Sequence, residues 1–372
     1  MKRIMIVGIL LLMPFCLRQS ESPETEDTLS SILAVTDITA WDTWFRENVQ
    51  GIAFVPSEFL SQTVLNGAVP WNSEQIQSDL PRLLLKSASP FIGRFMLYMG
   101  FGVIASILSA LRPKGEETLT DSVMRLLSGC MVLAAVMPTV TETVEALRQI
   151  ESGVEILLPG LIGFLSAFDF SASGEALSEG MAALCGGFLS AITGAIVPLA
   201  LIGGVLFVID GFRPGRLSPI GGVCFRAGRW TLRIGSAAFL TAQSIKGTVA
   251  MQSDTLLYRS AKLAAGGLPY VGGIVSGSFD TIMHCMSFVR SILGLTGILV
   301  LSGFLLFPVF RLLGEFAVLR LAAALTTPLG QTGYTQVLES SADMLRLLLA
   351  SQIIFWVLLI VMVGIGMGIW QG

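Results

Sequence analysis

The sequence predicts an all-α fold: a polytopic helical membrane protein with broken or re-entrant helices and a short polar N-terminal extracytoplasmic segment. Three observations predict it. Of 372 residues, 53% are hydrophobic and only 13% charged, where soluble domains carry about 25% charged residues. Mean hydropathy is +0.76. Apolar runs near the roughly 20 residues needed to cross a bilayer recur along the chain. The chain also holds 40 glycines, which suits helices whose backbones approach closely in a membrane.

At the N-terminus, Met1-Lys2-Arg3 forms a positive head and Ile4 to Leu12 a short apolar run, ended by Pro14 and the polar stretch from Arg18. The pattern is that of a secretory leader. Residues 1–20 therefore read as a signal peptide or, if uncleaved, an N-terminal anchor. Residues 21–88 are the most polar part, with Glu21, Glu24, Glu26, Asp27, Asp37 and Asp42 beside Trp41, Trp44 and Trp71. Following a leader, this segment is expected outside the cytoplasm, as small amphipathic helices lying on the membrane or on a partner. Residues 89–372 form the multi-pass domain.

Within that domain the clearest spans are Phe91 to Leu111, Val123 to Val140, Met181 to Ile209, Ile292 to Leu312 and Leu347 to Ile369. Ile156 to Phe168, Trp230 to Ala250 and Phe316 to Leu329 are too short, too polar or too broken for ordinary spans. They read as short spans, re-entrant hairpins or interfacial helices. Arg112 and Lys114 place the first loop in the cytoplasm, because positive loops stay inside. Glu142, Glu145, Glu151 and Glu155 place the next loop outside. Arg213, Arg216, Arg226, Arg229 and Arg233 form the densest positive cluster and read as cytoplasmic anchors. For parity, Ile156 to Phe168 must then be re-entrant or interfacial, or the 181–209 stretch must break in two. Gly186, Ser190 and Gly194 share one helix face, as do Gly364 and Gly368. Such spacing lets a neighbouring helix approach, and packing within the chain is the expectation.

The stretch Gly266-Gly267-Leu268-Pro269-Tyr270-Val271-Gly272-Gly273 must interrupt any helix. Broken backbone at membrane depth survives only where protein or water covers it. Lys262, Pro269, Gly272, Gly273, Ser276 and Asp280 are accordingly the candidate pore or re-entrant element. Ionisable residues in a membrane face a cavity or a partner. Lys262 and Asp280 thus either pair across a hairpin or both stand in water. Arg94, inside the first span, either snorkels from its end or has the same status.

Several chemistries find no support. A net charge of -3 and the absence of a basic, aromatic-lined stripe argue against nucleic acid. Five scattered cysteines, none in a CxxC, argue against a disulfide framework or a zinc site. His284 is the single histidine, and its neighbour Cys285 points about 100° away on a helix. No nucleophile, metalloprotease or phosphate-loop motif accompanies them. No cofactor is expected, and energy for any transport must come from elsewhere.

The same broken stretch resembles the stage III sporulation protein AE family of endospore-forming bacteria. The likeness rests on the Lys262-centred segment, Leu268-Pro269-Tyr270-Val271-Gly272-Gly273, Ser276, Asp280-Thr281 and the apolar helix from Leu293. It rests also on Leu321-Ala322-Ala323-Ala324-Leu325-Thr326-Thr327-Pro328-Leu329-Gly330. Gln331 departs from the acidic residue expected there. The resemblance implies a membrane subunit of a channel or secretion-like complex linking mother cell and forespore, in the outer forespore membrane, with other stage III membrane proteins as partners. A self-sufficient secondary transporter is the alternative, and it requires matching broken helices in two repeats.

Overall fold

The computed structural model describes residues 38–48, 55, 57–59, 90–107, 117–168, 173–210, 217–266, 272–329 and 332–366. All regular structure among them is helical. The helices are α1 (Ile38–Asn48), α2 (Pro90–Ile107), α3 (Glu117–Phe168), α4 (Ser173–Ala191), α5 (Val197–Ile209), α6 (Ser218–Gly266), α7 (Gly272–Thr326) and α8 (Thr332–Gly366). Residues 1–20 lie outside the described residues.

Five stretches are long and apolar enough to cross a membrane: Pro90–Ile107, Ser122–Val154, Ala183–Ile209, Leu295–Thr326 and Gly333–Gly364. They coincide with the five clear spans of the sequence, shifted at their ends. The weaker segments behave differently. Ile156 to Phe168 is no separate element but the end of α3, which runs for 52 residues and so reaches about 78 Å. Hydropathy falls across Glu142, Glu145, Arg148 and Glu151, yet these are strong helix formers, so polarity rises without ending the helix. Phe316 to Leu329 likewise joins its predecessor in α7 and the short 3₁₀ turn Thr327–Leu329. Trp230 to Ala250 is an inner part of α6.

The 181–209 stretch does not split. Instead α4 passes into α5 through a π-helical turn, Ile192–Ile196. Pro198 explains it: proline lacks an N–H and its ring crowds the carbonyl four residues back, and a wider turn relieves both. The break expected near Pro269 falls on residues 267–271, which lie outside the described residues. Helix α6 ends at Gly266 and α7 begins at Gly272.

Helix α8 is the axis of the bundle, packing against α3, α5, α6 and α7. Its span is 61% buried where that of α2 is only 17% buried, which makes α2 an outer helix. Along α8, Leu338, Met344, Leu345, Leu348, Phe355 and Met362 are buried. In a bilayer, lipid chains are as apolar as leucine, so van der Waals fit rather than water exclusion holds such helices together. Two glycines on the inner side of this wall show how tight the fit is. A Cβ on Gly203 would come within 2.7 Å of Phe225, and one on Gly228 within 2.6 Å of Leu347. The Gly186, Ser190 and Gly194 face does not pack as expected. Ser190 and Gly194 are exposed, and open space surrounds the Gly194 Cβ position. Close approach is made instead by glycines facing Phe225 and Leu347, large side chains of adjacent helices.

Helix α1, in the segment expected to lie on the membrane or on a partner, lies on the chain's own helices. It packs on α3 and α7 and buries Trp44 and Phe45. Beside it, the Asp42 Oδ1 accepts a hydrogen bond from the Ser57 N–H at 3.0 Å.

Candidate functional site

Helix α2 opens on Pro90, a residue pre-set for the first helical position. Its outward face carries Ile92, Met96, Val103 and Ile107. Its inward face carries Arg94, Tyr98, Gly102 and Ala105, spaced by three or four residues as one helix face requires. That inner face brings a guanidinium and a phenol against α7, where Glu315 is completely buried.

The arrangement is a closed polar network. Arg94 Nη1 donates to Glu315 Oε2 at 2.6 Å and to Thr139 Oγ1 of α3 at 2.7 Å. Tyr98 Oη donates to the other carboxylate oxygen, Oε1, at 2.8 Å. Each Glu315 oxygen thus has a donor, and one cation balances one anion. The Arg94 side chain keeps 21% exposure while that of Glu315 has none. Both Arg94 bonds leave from the same nitrogen, so the contact is end-on, without the two-bond fork that arginine often makes.

A second polar patch extends the first toward the end of α2. Tyr334 Oη of α8 donates to the Tyr98 carbonyl at 2.7 Å. The Thr326 and Thr335 hydroxyls lie 3.3 Å apart. Gly102 makes this possible, because a Cβ there would stand 2.7 Å from Thr326 Cγ2. Two partly exposed ion pairs tie α7 outward: Arg311 to Glu142 at 2.8 Å and Arg320 to Asp343 at 2.8 Å. Among the described residues no group of three or more His, Cys, Asp or Glu stands ready to hold a metal.

Chemically, the network is a clamp. It fixes the rotation and height of α2, α3 and α7 through one buried charge pair. Removing one partner of such a pair leaves an uncompensated charge and costs about 3–5 kcal/mol. The sequence exposed half of it. Arg94 stood out as a base inside a span, but Glu315 was hidden in the short gap between two apolar runs. A single acid there, matched with a single base in the first span, was the available signal.

The residues singled out from the sequence fall elsewhere. The backbones of Lys262, near the end of α6, and of Gly272, Gly273, Ser276 and Asp280, in the first turns of α7, are helical. The side chains of Lys262, Ser276 and Asp280, and Pro269 altogether, lie outside the described residues, as do Arg213 and Arg216. Arg226, Arg229 and Arg233 sit on the exposed side of α6.

Fold and site together define a polytopic helical membrane protein whose bundle is pinned by a buried arginine–glutamate pair. Comparison with known proteins narrows this class. The chain belongs to the stage III sporulation protein AE family, whose sequence profile matches residues 56–369. Its relative in Bacillus subtilis (strain 168), stage III sporulation protein AE, is 21% identical over 242 residues, which is 64% of this chain and 61% of the relative. The aligned part thus falls short of two thirds of that relative's length. No solved structure matches the chain. Family membership supports a role in sporulation.

Proposed function

We propose that the chain is a multi-pass membrane subunit of a channel or secretion-like complex that links mother cell and forespore and supports forespore development. It works in the outer forespore membrane beside other stage III membrane proteins. The observation that carries this reading is the family match, which runs through every helix from α2 to α8. The physical arrangement supports it. Among the described residues the fully buried Glu315 is held by Arg94, a paired charge that suits a fixed structural contact better than a titratable group exposed to alternate sides. Within that subunit, Lys262, Pro269, Gly272, Gly273, Ser276 and Asp280 form the pore element between the end of α6 and the start of α7. The chain itself carries no catalytic role in this reading.

The test is affinity capture of the intact protein from detergent-solubilised sporulating cells, with co-purifying membrane proteins identified by mass spectrometry. Recovery of the other stage III membrane proteins is expected. Recovery of the protein alone, moving a solute in liposomes without help, would replace this reading with the self-sufficient transporter.

A further inference from the structure

The exposed side of α6 mixes arginine with large apolar side chains. Between Gly221 and Phe239 this helix packs along two membrane-crossing stretches. Phe225 stacks on Phe207, the Gly228 Cβ position abuts Leu347, and Phe239 meets Phe188. Phe207 and Phe188 belong to the Ala183–Ile209 span and Leu347 to the Gly333–Gly364 span. The opposite side of α6 therefore starts level with the Phe207 end of the Ala183–Ile209 span and runs along it toward Phe188.

That side carries Arg226, Arg229 and Arg233, all exposed, at spacings of three and four residues that align them on one helix face. Exposed apolar residues interleave and flank them: Val223 before, Trp230 at 62% and Ile234 at 60% exposure among and after. Arg226 Nε donates to the Gly222 carbonyl at 3.3 Å, a contact within its own helix. Among the described residues, no carboxylate lies within ion-pair distance of these three guanidinium groups. Hydrocarbon would penalise the arginines, and water would penalise the tryptophan and isoleucine beside them. Arginine and tryptophan side by side, with apolar neighbours, is the composition of a protein interface centre.

We infer that this face of α6 docks a membrane-embedded helix of a different subunit, one that is apolar but carries carboxylates at matching three- and four-residue spacing. Charge complementarity selects the occupant. A second copy seated symmetrically on the same face would set arginine against arginine, which repels. The inference rests on the reading of the chain as a subunit of a larger membrane complex, and it names the surface and the partner chemistry. It also reassigns Arg226, Arg229 and Arg233 from topological anchors to recognition.

The probe is a synthetic membrane-spanning peptide of leucine and alanine with glutamates at positions i, i+3 and i+7, beside a counterpart with glutamines. Binding to the full chain in phosphatidylcholine nanodiscs is read by fluorescence energy transfer. The glutamate peptide is expected to bind about tenfold or more tightly than the glutamine peptide. The triple variant R226Q/R229Q/R233Q should lose that preference, and R226K/R229K/R233K should keep most of it. Unchanged melting of both variants establishes that they fold. Equal binding of the two peptides, or a preference that survives in the glutamine variant, overturns the inference. So does an arginine-dependent preference for phosphatidylglycerol without glutamate-dependent peptide binding, which would make the face a lipid site. Energy transfer between two copies, abolished by the glutamine variant in the absence of peptide binding, would make it a self-association surface. Capture from sporulating cells separates the two levels. If the glutamine variant still brings down the other stage III proteins, the docking face falls and the complex stands. If the native chain brings down none, the complex reading itself falls.

Discussion

Replacing Arg94 with leucine tests the central clamp. The Glu315 carboxylate is fully buried, with Arg94 at 2.6 Å on one oxygen and the Tyr98 hydroxyl at 2.8 Å on the other. Without the guanidinium, one hydroxyl must stabilise a buried anion, and the loss should be about 3–5 kcal/mol. Leucine at both positions removes the charges together and should recover most of the loss, because a buried ion pair contributes little net stability over apolar residues of similar volume. The cycle of single and double variants should therefore show a coupling of about 2–3 kcal/mol. Glu315→Gln alone should cost less, about 1–2 kcal/mol, since Arg94 retains 21% exposure and can turn outward. The readout is a thiol-reactive dye melt at Cys185, which is only 3% exposed, in a background where Cys16, Cys130, Cys224 and Cys285 are serine. If the double variant loses as much as the two singles added together, the pair is not coupled and the clamp is refuted.

Three further outcomes follow from the same structure. Gly228→Leu drives a side chain into Leu347 and should cost about 1–3 kcal/mol in the same melt, with partial relief from Leu347→Ala; an unchanged midpoint would show that α6 does not lie against α8 there. Gln352→Leu should leave stability unchanged or raise it by about 1 kcal/mol, because Gln352 is fully buried and its Oε1 and Nε2 have no hydrogen-bond partner among the described residues. A loss of sporulation with unchanged melting would instead assign Gln352 a functional contact. Asp343→Asn breaks the Arg320 pair, but both side chains are about 40% exposed, so the change should stay below about 1 kcal/mol; a larger drop in midpoint would mean that the pair is shielded in the assembled membrane.

The helix break expected near Pro269, which falls outside the described residues, was read from a local cause. Gly266, Gly267, Pro269, Gly272 and Gly273 withdraw helical backbone preference whatever surrounds them. The joining of Ile156 to Phe168 onto α3 was not legible from hydropathy, because hydropathy measures solvent preference and not helix continuity. Glu142 and Glu145 lower the first while favouring the second. The small-residue face at Gly186, Ser190 and Gly194 misled for a related reason. Spacing shows that small residues share a face, but which way that face turns depends on every other contact of the helix.

Sequence alone determined the membrane class, the five strong spans and the family likeness. Composition and local backbone chemistry act residue by residue, so they survive without a fold. Only the tertiary structure decided that Arg94 meets Glu315, a residue 221 positions away, and that Arg226, Arg229 and Arg233 turn outward where α6 runs along the Ala183–Ile209 span. Both depend on helix rotation and relative height, which emerge from the summed packing of the whole bundle.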